Sequence, residues 1–200
     1  MSDYENQRSR AVSPVLRTKD AVVDEQGTAV IPAGTREIFD MAFQENLQMI
    51  RVVLPDSVRK VGSRAFAGCE NLREVHLNDG LEILEGNVFN GCTRLEELVL
   101  PSSLRQVHAY AFNHTSFRTP LYDRSGTILY HYPEQAPVTF FAVPQGVKRL
   151  AHGAFLGCAA LEAVRLPESL EVIEREAFVN TAIRSITIPS SVKTVEGFAF

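Results

Sequence analysis

The chain has 200 residues, 45% of them apolar, which is enough to bury a core and too many for a disordered chain. Twenty Lys and Arg stand against 24 Asp and Glu, scattered along the sequence, so there is no basic footprint for nucleic acid or an anionic membrane. No secretory leader precedes the first residues and no stretch approaches 18 consecutive apolar residues, so neither export nor membrane insertion is expected and the chain reads as cytoplasmic as written.

Residues 1–20 are polar and aperiodic and read as a disordered N-terminal segment. Ala21 to Val30 is expected to cap the domain that follows, 21–200, because a stack of repeats otherwise exposes the edge of its core. From there the sequence is periodic. Phe43, Phe66, Phe89 and Phe112 are spaced 23 apart, Phe155 and Phe178 repeat the interval, and Phe200 follows 22 later. Seven of the 12 Phe thus hold one equivalent position.

The rest of the repeat falls into register with that Phe. Eleven residues before it stands Pro32, Pro55, Pro101, Pro144, Pro167 or Pro189, with Asn78 as the one substitution. Aliphatic pairs lie between, as in Val58 and Val61 or Leu170 and Ile173; after the Phe come Leu72, Val75 and Leu77, repeated as Leu95, Leu98 and Leu100 and as Leu161, Val164 and Leu166. A coil of this length cannot bury its own apolar side. Stacked at the strand separation of ~4.8 Å, coils align each position in a ladder, and the fold class is a repeat solenoid. Val75-His76-Leu77 has period 2 and predicts a short strand with its middle residue outward, paired in parallel from coil to coil into one continuous sheet. The Pro that follows ends this strand, and Pro-Asp-Ser or Pro-Ser-Ser is turn chemistry. A second, weaker strand is expected through Val58 to Val61 and its equivalents, and the Ala-Phe-x-Gly-Cys segment suits a tight turn or one helical turn.

The string LPDSVRKVGSRAFAGCENLREV resembles the BspA-like type of leucine-rich repeat, and the resemblance covers about residues 30–200. It implies a right-handed leucine-rich-repeat superhelix with a parallel β-sheet face and turns or short helical turns opposite. It also implies protein or matrix binding at a bacterial cell surface or after secretion, with no enzymatic activity.

Between Phe112 and Phe155 the interval is 43 residues, three short of two coils, so one coil, at 118–140, is degenerate. Asp123 to Gly126 between Leu121-Tyr122 and Ile128-Leu129-Tyr130 reads as a hairpin. The family carries a comparable interruption. Tyr122, Tyr130, His131 and Tyr132 crowd here, and two readings stand: aromatics offered to a partner, or large side chains filling the gap of an irregular coil.

Chemistry is thin. Cys69, Cys92 and Cys158 each follow a ladder Phe by three residues and read as packing positions, although a disulfide between Cys69 and Cys92 is conceivable. His108 and His114 have a gap seen in zinc fingers but no Cys pair beside them. No nucleophile elbow, phosphate loop or dinucleotide fingerprint occurs, and no cofactor or metal is expected. Asn113-His114-Thr115 matches a glycosylation sequon, taken as coincidence.

In repeat proteins, binding lies on the outward strand positions. Here these are Val53, His76, Val99 and Arg165, with Arg51, Glu74 and Glu97 just before them. Together with Tyr122, Tyr130, His131 and Tyr132 they form the expected partner-binding set, for a protein partner. The alternative is a structural or self-assembling scaffold, and end-to-end association through the last coil is expected because no cap is visible after Phe200.

Overall fold

The computed structural model of the chain describes residues 15–200. Most of the segment expected to be disordered therefore lies outside the described residues. Its last part does not fit that expectation, since Leu16 is buried in the core and Thr18–Asp20 forms a turn of 3-10 helix.

The described strands are short: β1 Val15–Leu16, β2 Val22–Val23, β3 Ala29–Val30, β4 Glu37–Ile38, β5 Arg51–Val53, β6 Lys60–Val61, β7 Glu74–His76 and β8 Ile83–Leu84. They continue as β9 Gln106–Val107, β10 Leu121–Tyr122, β11 Ile128–His131, β12 Phe140–Ala142, β13 Arg149–Leu150, β14 Ala163–Arg165, β15 Val172–Ile173 and β16 Thr194–Val195. Parallel pairing from coil to coil dominates, as a solenoid requires. β2 and β3 pair antiparallel, so Ala21 to Val30 is a hairpin across the first coil.

The balance between the two strand sites differs from the sequence reading. The step strand, expected to be the weaker, builds the longer sheets, β1-β4-β6-β8-β9 and β10-β11-β13-β15-β16. The Val75-type strand yields only the pairs β5-β7 and β12-β14. Ring spacing does not account for the difference: Phe43–Phe66 and Phe66–Phe89 stack at 5.5 and 5.6 Å. Yet Glu97–Val99, which follows Phe89 as β7 follows Phe66, makes no ladder with β7.

Each coil turns its corner with left-handed backbone rather than a helical turn. Two residues before the ladder Phe, φ is positive at Met41, Arg64, Asn87, Tyr110, Gly153, Glu176 and Phe198; two residues after it, φ is positive at Glu45, Gly68, Gly91, His114, Gly157 and Asn180. Glycine carries this conformation at little cost and other residues do not. The Pro-x-Ser turns do more than reverse the chain. Ser57, Ser103 and Ser169 donate through Oγ to the carbonyls of Thr35, Leu81 and Val147 in the preceding coil, at 2.7, 2.6 and 2.8 Å. Asn78, in the proline position, donates to the carbonyls of Pro55 and Val58 and accepts from the Gly80 N–H.

The apolar interior divides at the degenerate coil. A first core runs from Leu16 through Phe43, Phe66, Phe89 and Phe112 to Tyr130; a second holds Leu129, Tyr132, Phe155, Phe178 and their neighbours. The hairpin β10-β11 is antiparallel and β11 also pairs with β13. Alternate residues of this strand therefore serve opposite cores, Tyr130 the first and Leu129 the second.

Candidate interaction surface

On the strand face the period-2 rule places side chains alternately in and out. Val52 and Val164 are buried while Arg51, Val53, Ala163 and Arg165 are exposed. Glu74 and His76 are exposed on either side of the half-buried Val75. Glu97 and Val99 are exposed as well, although no strand holds them. The seven strand-face residues expected at the surface thus share one face. Some of their charges are paired lengthwise: Arg51 Nε lies 3.3 Å from Glu74, which His76 approaches at 3.9 Å, and beside the strip Arg118 bonds Glu96 at 2.9 Å.

The face is also partly apolar. Val53 is 42% exposed, Val99 85% and Phe140 53%, with Val138 beside the last at 42%. Phe140 and Val138 were missed in the sequence because they fall in the degenerate coil, where the repeat assigns no inward or outward position.

The aromatic part of the expected set requires correction. Tyr130, His131 and Tyr132 are buried, at 7%, 3% and 4% exposure, and Tyr122 is half-buried. Tyr132 stands 23 before Phe155 and packs against it at a tilt, centroids 5.2 Å apart, while His131 meets Phe112 and Phe117 at 6.4 and 5.8 Å. His131 and Tyr132 carry aromatic packing through the seam, and what Tyr130 and Tyr132 still show of themselves lies in the walls of grooves and not on an open surface. An irregular coil loses dispersion contacts unless large side chains refill it. Burial holds His131 at a pKa of about 4 and raises the Tyr122 hydroxyl to about 12.

The thiols are packing groups also. All three Cys are free and buried. Cys69 and Cys92 donate to the carbonyls of Phe43 and Phe66 at 3.1 and 3.2 Å, which directs each thiol at the preceding coil and not at another sulfur. Burial pushes Cys69 up to about 11 and Cys158 to about 12, far from the thiolate that nucleophilic chemistry needs. His108 and His114 do not converge: one sits 3.6 Å from Glu85, the other 3.2 Å from Glu134. Among the described residues no group of three His, Cys, Asp or Glu is placed to hold a metal ion.

Two grooves flank the seam. One of about 370 Å³ runs between Leu100–Leu104 and the hairpin tip at Asp123–Ser125. Burial raises the Asp123 pKa, but hydrogen bonds from Ser125, Ile128 and Thr127 outweigh it and hold the carboxyl below its usual value. The second groove, about 430 Å³, has Phe117 and Arg118 on one wall and Tyr132, Pro133, Pro137 and Val138 on the other. It ends at the exposed apolar strip.

The family model described as BspA type leucine rich repeat region matches residues 26–132 and 128–200. No curated protein matches the sequence. Among solved structures the chain is similar to the pneumococcal vaccine antigen PcpA, with 24% identity and a TM-score of 0.62 over 83% of this chain and 51% of that one. It is similar to a leucine-rich repeat protein from Bacteroides ovatus, with 20% identity and a TM-score of 0.58 over 88% and 58% of the two chains. The leucine-rich repeat protein of T. pallidum gives 25% identity and a TM-score of 0.53 over 88% and 82%. The chain therefore spans little more than half the length of the first two of these structures.

Proposed function

The chain belongs to the BspA-type leucine-rich repeat family, and from that premise we propose that it is a protein-interaction module that binds through its strand face. One observation carries this reading: Val53, Val99 and Phe140 are exposed on the strand face, between charged residues such as the paired Arg51 and Glu74. Apolar area on one face with a polar rim is what a partner covers. The partner is a protein, and the charged rim of Arg51, Glu74, His76, Glu97 and Arg165 sets its register more than its affinity.

We further place the chain at a bacterial surface or in secretion. Support comes from the description of the pneumococcal relative as a vaccine antigen. Among the described residues no helix is long and apolar enough to cross a membrane. The repeat scaffold supports binding and not catalysis, with buried thiols and dispersed His as the physical counterpart.

The test is a pull-down from surface extracts by the full chain, with His76→Asp and Arg165→Asp combined, and with Arg105→Asp on the step side as control. Loss of the captured protein in the double variant alone is the expected result. Equal capture by all three proteins would sink the strand-face reading.

A further inference from the structure

The strand face lacks a rung at the seam. In regular coils the Val75-type segment follows its neighbour, as β5 and β7 do residue by residue. The degenerate coil supplies Tyr132 to the aromatic ladder and Leu129 to the step sheet, but its strand-face segment starts and then leaves. Ser116 N–H still reaches the Leu95 carbonyl at 3.1 Å; at Arg118–Thr119 the chain bends and crosses to β10 on the other side. No strand lies between Glu97–Val99 and β12.

β12 consequently has a free edge. Toward β14, the Thr139 carbonyl accepts from Glu162 and Ala163 N–H at 2.8 and 2.9 Å, and Val143 N–H donates to the Arg165 carbonyl at 3.0 Å. Odd-numbered residues face β14, so by alternation the N–H and carbonyl groups of Phe140 and Ala142 face the missing rung. No backbone hydrogen bond reaches them among the described residues. Such an edge is a template for another chain. Natural edges are blunted with charge, proline or a covering loop, yet within β12 stand only Phe140, Phe141 and Ala142.

We propose that the seam accepts an extended peptide, which adds to β12 as an extra strand and fills the missing rung. This deepens the binding-module reading and rests on it. The backbone groups of Phe140 and Ala142 supply hydrogen bonds that only an extended chain satisfies; a helix or a small molecule has no matching repeat. Side-chain preference follows from the walls. Phe141 points inward onto Tyr132, ring to ring at 4.6 Å, and the groove between Phe117 and Pro133 continues that layer. Inward residues of the peptide are therefore apolar and compact. Outward residues lie beside exposed Phe140 and Val99, where apolar or aromatic groups cover surface that is now wet. The ligand class is a peptide of five or six extended residues with period-2 apolar character and no proline at the positions that face β12.

The probe is a phage-displayed library of random dodecapeptides selected on the full chain, followed by synthetic peptides of the enriched sequence. Expected are a period-2 apolar motif, shifts of the Phe140 and Ala142 amide resonances on binding, and at least tenfold weaker binding after Ala142→Pro. The Ala142 N–H has no internal partner, so proline there breaks no internal hydrogen bond while removing the donor offered to the peptide. N-methylation of the peptide at alternate residues gives the same loss without touching the protein, and methylation one residue along gives none. Failure to enrich any peptide, peptides indifferent to Ala142→Pro and to N-methylation, or self-association of the chain through this edge would each overturn the proposal. Of these, peptides that bind elsewhere, or the pull-down result above standing intact, would leave the broader binding reading in place.

Discussion

At the scale of single residues the seam histidine makes the sharpest prediction. His131 is 3% exposed and faces the uncharged rings of Phe112 and Phe117, and burial lowers its pKa from 6.5 to about 4. The unfolded chain binds a proton there that the folded chain excludes, so stability is complete above about pH 6.5 and falls with acid until the folded pKa is reached. The slope is ~1.4 kcal/mol per pH unit between those limits. Urea unfolding at pH 7 and pH 5 should show a loss in the native protein that His131→Leu largely abolishes; parallel losses in both proteins would remove the assignment. His131 also shows how far the sequence could be read. Its place in an aromatic cluster was visible, and so was gap-filling as one of two explanations. Which explanation held depended on the depth of the cluster, and an interval three residues short of two coils gives no register from which depth follows.

At the scale of the coil, the ladder positions of Phe, Pro and the aliphatics were legible because each recurs, and recurrence is what stacking imposes. The left-handed corners were half legible. Gly68, Gly91 and Gly157 announce one of them, but Glu45, His114 and Asn180 occupy the same corner without announcing it. This gives a second prediction. Glu45 sits at φ 57 with an exposed side chain that bonds only its neighbour Gln44, so Glu45→Gly should raise stability by about 0.5–1 kcal/mol in chemical denaturation. A loss of stability would mean that the side chain contributes more than its backbone strain costs. Strand strength was the element least legible. Period 2 marked the Val75-type strand clearly, whereas the step strand shows only two residues per coil and nonetheless forms the longer sheets. Glu97–Val99 stands at the same place in the repeat as β7 and forms no ladder with it, so the pattern within one coil does not report whether its neighbour pairs.

At the scale of the molecule, two cores meet at one strand. Solenoids gain stability from nearest neighbours, so the strand shared between cores determines whether the blocks unfold together. Tyr110 in the first block also hydrogen-bonds Glu176 in the second, and its ring meets His152 edge-on at 5.3 Å. Tyr132→Ala removes a buried aromatic at a cost of roughly 3–5 kcal/mol. Amides of 140–195 should then exchange faster while those of 37–107 keep their protection, because the lost contacts belong to the second core. Uniform acceleration across both ranges would show a single cooperative unit.

The shared strand has a consequence for register as well as for stability. A regular stack fixes every coil by the one before it, so an error of register propagates to the end. Here β11 closes one series of coils and opens another with its own count, as an expansion joint separates two spans of a bridge. A coil added to or removed from one span would leave the register of the other, and the recess between them, unchanged.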